Sequence, residues 1–72
     1  MINLKDLAEC LELLQDMFDD RLQAIAWLNV PNPKFGRFGG ESPMTMLADG
    51  RAPEVIKILH KMQIQWKNVK SN

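Results

Sequence analysis

Ser42-Pro43-Met44-Thr45-Met46-Leu47-Ala48-Asp49-Gly50-Arg51-Ala52-Pro53-Glu54-Val55 reads as a short helix, a sharp stop and the start of a longer helix. Ser42 is a favoured N-cap, because its hydroxyl can accept from a free backbone N–H of the first turn. Pro43 suits the first helical position, where its missing N–H costs nothing. The spacing predicts a helix over Met44 to Ala48, ended by Asp49-Gly50, since glycine tolerates the left-handed conformation that commonly closes a helix. Pro53 then opens the last helix, and Glu54 complements its positive end.

Toward the C-terminus, Val55, Leu59, Met62 and Trp66 recur at steps of four, three and four, which is one stripe of an α-helix. Ile56 and Ile58 flank that stripe, and Lys57 and Lys61 lie one turn apart outside it. The polar end, Asn68 to Asn72, is expected to fray. Toward the N-terminus, Pro31 to Glu41 holds two prolines and three glycines and reads as an irregular loop. Phe35 and Phe38 lie within it; bulky aromatics are rarely left in water, so the loop is expected to fold back onto the helices. Pro31 also stops a preceding helix, roughly Arg21 to Leu28, with Leu22, Ile25, Ala26 and Asn29 along its expected inner face and Asp19-Asp20 as its cap. Before that, Leu4, Leu7, Leu11, Leu14 and Phe18 form a second helical stripe, widened by Ala8, Leu13 and Met17 and capped by Asn3. The expected architecture is all-α, with about four helices in one small domain and a Pro/Gly-rich loop between helices 2 and 3. Residues 4–66 form its core and 67–72 a flexible tail.

The chain has 72 residues, room for a single domain. Such a chain buries only about 60% of the surface its unfolded form exposes, too little for the deep pocket most enzymes need. Hydrophobic residues make up 46% and charged residues 25%, as in a globular domain rather than a disordered tail. Net charge is zero, so nothing draws the whole chain to nucleic acid or to a membrane. The charge is uneven in place. Lys5 and Arg21 stand against six acidic residues in 1–33, and seven basic residues stand against Glu41, Asp49 and Glu54 in 34–72. The two halves can attract each other within a monomer or between two copies. Apolar runs are too short for a membrane span, and the start does not read as a signal peptide. The single cysteine, Cys10, cannot make an internal disulfide. A reducing compartment, the cytoplasm, is therefore expected.

No residue pattern supports catalysis or a cofactor. Metal binding needs three or four ligands, and His60 and Cys10 each stand alone. Cys10 lies in a leucine-rich helix, where it serves as a small apolar side chain. Gly36-Arg37-Phe38-Gly39-Gly40-Glu41-Ser42 leads into a helix, but Glu41 stands where a phosphate-binding loop carries Lys. The two helices around Asp49-Gly50 have the outline of a DNA-reading helix-turn-helix. The second begins Pro53-Glu54-Val55, where base-reading side chains belong, and the chain has no positive excess. Phe18, Trp27 and Met62 sit at core spacing. A domain of this size cannot also bury Phe35, Phe38, Met44, Met46 and Trp66, and Met and aromatic side chains are common interface anchors.

Ala26-Trp27-Leu28-Asn29-Val30-Pro31-Asn32-Pro33, then Phe35, Gly39-Gly40, Ser42-Pro43, Met46-Leu47, Gly50 and the pair Val55 and Leu59 together resemble the C-terminal toxin-binding domain of Xre/MbcA/ParS-type antitoxins, over about residues 8–64. Phe35 stands for the family's usual Leu, and the glycine loop is longer around Arg37-Phe38. The resemblance implies a small all-α domain that binds and neutralises a cognate toxin, often a RES-domain toxin that consumes NAD, by blocking its active site. Under it, Trp27, Leu28, Pro31, Asn32, Pro33, Gly39, Gly40, Pro43, Leu47 and Gly50 read as architectural. The expected partner contacts are Lys34, Phe35, Arg37 and Phe38 on the loop, Arg51 after the turn, and Trp66, Lys67 and Lys70 near the end. Typical members carry an N-terminal helix-turn-helix domain. This chain starts almost directly with the toxin-binding region, so DNA-based repression is not expected of it. An adaptor or inhibitor that uses the same fold on another host protein is the alternative, and pairing of two copies is compatible with either.

Overall fold

Each of the first three helices begins where a side-chain oxygen replaces a missing backbone acceptor. The computed structural model describes residues 2–36 and 39–70, with Lys70 described by its backbone alone. Helix α1, Leu4–Leu14, is capped by Asn3, whose side chain accepts from the Lys5 N–H at 2.8 Å. Helix α2, Arg21–Leu28, is capped by Asp20, which accepts from the Leu22 N–H at 2.8 Å. Helix α3, Pro43–Ala48, is capped by Ser42, which accepts from the Thr45 N–H at 3.1 Å. Each cap is worth about 1 kcal/mol against alanine. Helix α4, Ala52–Lys70, starts on the Arg51 carbonyl, which accepts from the Glu54 and Val55 N–H groups.

The stop between α3 and α4 is built as its sequence predicts. Gly50 has φ +79°, its N–H donates to the Leu47 carbonyl at 3.2 Å, and the Arg51 N–H donates to Met46 at 2.9 Å. These paired bonds satisfy carbonyls the helix end would otherwise leave open. The last helix begins one residue earlier than expected, at Ala52, because the turn delivers Arg51 directly into the capping position. It also stays helical through Lys70, across the stretch where fraying is expected; Ser71 and Asn72 lie outside the described residues.

Helix α1 packs mainly along α4, with α2 against α1 and α3 against α4. The core is Cys10, Leu13 and Leu14 of α1, Ala24 and Leu28 of α2, Phe35 of the loop, Met46 and Leu47 of α3, and Ala52, Val55 and Leu59 of α4. Three expectations are corrected here. The first helix ends at Leu14, not Phe18: the Met17 and Phe18 N–H groups both fold back onto the Leu14 carbonyl, and the chain turns toward the Asp20 cap. Leu4 lies in solvent, since the buried face centres on Cys10, Leu13 and Leu14. Leu22 and Ala26 also face out. Helix α2 instead buries Ala24 and Leu28, one turn apart on its other side.

The segment from Asn29 to Ser42 is irregular but densely bonded. The Asn32 N–H donates to Glu41 O at 3.1 Å and the Gly40 N–H to Asn32 O at 3.1 Å, forming an isolated antiparallel bridge between Asn32 and Glu41. The Asn32 side chain accepts from the Lys34 N–H at 2.9 Å. Gly36 has φ +91°, and a Cβ there would overlap the Glu41 side chain, so only glycine fits. Phe35 is fully buried, with its ring 5.8 Å from Trp27 in an edge-on contact, and Trp27 in turn meets Phe18 at 6.3 Å. The expectation that the loop folds back is met through Phe35; Arg37 and Phe38 lie outside the described residues.

Two outcomes follow. Phe35→Ala should cost about 3–5 kcal/mol, against a total of roughly 4–11 kcal/mol for a domain this size. Urea unfolding followed by circular dichroism measures it, and a loss under 1 kcal/mol would mean the ring is not anchoring the loop. The Cys10 thiol is pushed from 9.0 up to about 11 by burial, assisted by Glu9 and Asp6. The folded form therefore holds a proton that the unfolded chain releases first. Stability present below pH 9 should decline between about 9 and 11. Cys10→Ala should lack that decline, and the wild-type thiol should resist a disulfide reagent at pH 8 until urea unfolds the chain.

Candidate partner-binding surface

Helix α4 has 19 residues and is roughly 28 Å long, whereas α1 has 11. The first half of α4 is buried by Ala52, Val55 and Leu59. Its second half keeps the same apolar stripe with less to cover it. Trp66 is 39% exposed and Val69 74% exposed. With Met62, Gln65, Met17 and the loop residue Lys34 they line a shallow apolar groove of about 340 Å³. Lys34 and Trp66 are thus brought together by the fold from opposite sides of α3, and Lys34 places a cation at the groove's rim. Lys67 lies beside it and pairs with Asp16 at 3.8 Å, while the Gln63 amide donates to the same carboxylate at 3.3 Å. These two contacts fasten the end of α4 to the turn after α1.

Other expected contacts fall elsewhere. Phe35 is removed from the set, since its ring has no accessible surface and serves the core. Arg51 is engaged inside the molecule. Its guanidinium donates to Glu41 through two parallel bonds, at 2.9 Å to Oε2 and 2.8 Å to Oε1, and a third bond reaches Asp49 at 2.9 Å. This fork matches the carboxylate plane, a geometry lysine cannot reproduce. The bonded Arg51 guanidinium holds the Glu41 carboxyl below its usual range, and Glu41 and Asp49 raise Arg51 further. Arg37, Phe38 and the Lys70 side chain lie outside the described residues.

Met17, Met62, Gln65 and Val69 are the groove residues absent from the expected contacts, with Met62 expected in the core. Val69 continues the 55, 59, 62, 66 series by a further step of three, so its signal was present in the spacing. Met17 gave no comparable signal, because its place on the groove depends on the turn that ends α1. Among the described residues, no group of three or more His, Cys, Asp or Glu is arranged to hold a metal ion, and no helix is long and apolar enough to cross a membrane.

The sequence matches the family described as the antitoxin Xre/MbcA/ParS C-terminal toxin-binding domain over residues 13–63. The chain belongs to this family. The match begins within α1 and takes in α2, the loop, α3 and α4 as far as Gln63. Comparisons with curated proteins and with solved structures give no match. The residues of the Trp27–Phe35 contact and of the Arg51 clamp lie within the matched span, whereas Trp66 and Val69 lie past it.

If the Arg51 fork ties the loop to the α3–α4 turn, Arg51→Ala should lower the Tm by a few degrees at pH 7, and Arg51→Lys by nearly as much. Glu41 has a lowered folded pKa, so its contribution is present above the ordinary carboxylate range and lost as pH falls through the folded value. The Tm gap between wild type and Arg51→Ala should accordingly close at acid pH. A gap of constant size down to pH 2 would show that charge pairing is not its origin.

Proposed function

We propose that this chain neutralises a cognate toxin by seating the second half of α4 and the Lys34 edge of the loop over the toxin's active site, with no chemistry of its own. Membership of a toxin-binding antitoxin family carries the reading. The groove of Met17, Met62, Trp66 and Val69 supports its location, because Trp and Met are enriched at the centres of protein interfaces. A RES-domain toxin that consumes NAD is the first candidate partner. Trp66 supplies the partly exposed ring on the strip, and Lys34 supplies positive charge at its edge for an acidic surface around the toxin's substrate cleft. A single cysteine held as a buried thiol fits action in the cytoplasm.

Occlusion needs no pocket in the antitoxin. It needs a rigid projection that is held before the partner arrives, which lowers the ordering cost of binding. Asp16 lies against this projection, accepting from Gln63 and pairing with Lys67 at the surface.

The test is to purify the tagged chain from its host at mild salt and assay what co-purifies. A small enzyme at fixed stoichiometry, inactive until the chain is stripped off, is the expected result. Recovery of an unrelated regulator would mean that the fold serves as an adaptor for another host protein. With the toxin in hand, Trp66→Ala combined with Lys67→Ala should weaken binding at least tenfold while the helical circular dichroism stays unchanged. Unaltered affinity would remove the end of α4 from the interface.

A further inference from the structure

Asp49-Gly50 is the one place in the sequence where a glycine follows an aspartate or an asparagine; the other glycines follow Phe35, Phe38 and Gly39. Such a pair carries a reaction of its own. The backbone nitrogen after an aspartate can reach the side-chain carboxyl carbon, and glycine has no Cβ to obstruct the approach. In the folded domain three features oppose that reaction. The Gly50 N–H donates to the Leu47 carbonyl at 3.2 Å, so the nucleophile is engaged. Arg51 holds Oδ2 of Asp49 at 2.9 Å with the same guanidinium nitrogen that bonds Oε1 of Glu41. The third is a torsion. In a five-membered imide the Asp49 Cβ must eclipse the Gly50 nitrogen, which requires ψ far from the 2° found at Asp49. Solvent is not what is lacking, because the Asp49 side chain is 58% exposed.

We propose that Asp49-Gly50 is a latent site of isoaspartate formation, closed by the α3–α4 turn and by Arg51 and opened when that turn loosens. The step balances with water alone. The Gly50 nitrogen attacks Cγ of Asp49 in its neutral acid form. An N–Cγ bond forms, a Cγ–O bond breaks, and the amide proton leaves with the hydroxyl as water. Water then adds to the imide. Addition at Cγ restores aspartate, whereas addition at the former backbone carbonyl leaves the chain running through Cβ and Cγ, which is isoaspartate. Nothing is oxidised or reduced. The product inserts one carbon into the backbone between α3 and α4. Gly50 at φ +79° and the Arg51 N–H bond to the Met46 carbonyl both depend on the original spacing, so the modified turn cannot hold α4 in its direction. The chemistry rests on the turn and not on the toxin-binding reading, and a failure of either leaves the other standing.

Incubation of the full chain at pH 6 and 37 °C, once folded and once in 6 M guanidinium chloride, tests the site. After removal of the denaturant, isoaspartate is titrated with an isoaspartyl carboxyl methyltransferase and labelled S-adenosylmethionine. Electron-transfer fragmentation then locates it in the sequence. The denatured chain should accumulate isoaspartate at position 49, and the folded chain should do so at least tenfold more slowly. Arg51→Ala, shown to be helical by circular dichroism, should lose at least threefold of that protection, while its denatured form matches denatured wild type. Arg51→Gln supplies the same comparison if the alanine variant does not fold. Equal rates in the folded and denatured chain, or no isoaspartate at position 49 in the denatured chain, would overturn the site. Folded Arg51 variants that isomerise as slowly as wild type would overturn the part given to Arg51.

Discussion

The edge-on contact between Trp27 and Phe35 is the constraint on which the other contacts rest. Phe35 belongs to a segment with no regular structure, yet it is as deeply buried as any residue of the helices. Its ring gives the loop an apolar anchor among side chains drawn from all four helices. Local hydrogen bonds around Asn32 shape the loop, but bonds of that kind exchange for water at little net gain. Burying an aromatic side chain is worth more, and it fixes where the loop lies.

Once the loop is held, Glu41 is held, and Glu41 faces Arg51. A single residue then performs three tasks. The Arg51 N–H completes the stop of α3, its carbonyl begins α4, and its guanidinium grips the loop. The direction in which α4 leaves the domain is set at this point. Because α4 is long, an error of direction at Arg51 would be magnified at Trp66, roughly 20 Å along the helix. The fork and the Asp16 contacts constrain the helix at both ends of that distance. The second half of α4 thus leaves the domain in a defined direction.

The proposed function rests on what the small core leaves uncovered. The α4 stripe is continuous from Val55 to Val69, and the other three helices are too short to cover all of it. Its covered half stabilises the domain, and its uncovered half is the surface proposed above for the toxin. The small core also leaves an open cleft lined by α1, the turn after it and the start of α2.

The helix count, the caps at Asn3, Asp20 and Ser42, the Gly50 stop and the all-α class were legible in the sequence. Each depends on side chains within a few residues of the backbone groups they serve. The family pattern was legible for the same reason, in ordered pieces such as Trp27-Leu28 and Pro31-Asn32-Pro33. What periodicity could not decide was which side of a wide apolar face turns inward. Leu4 and Leu22 fit a stripe but lie outside, because burial depends on where the neighbouring helices cross. Nor could it tell Phe35, a core ring, from a contact residue, or show that Arg51 is committed to Glu41 ten positions away. Those outcomes were decided by tertiary structure alone. They rest on contacts between segments distant in the chain, and local spacing carries no record of how closely such segments approach.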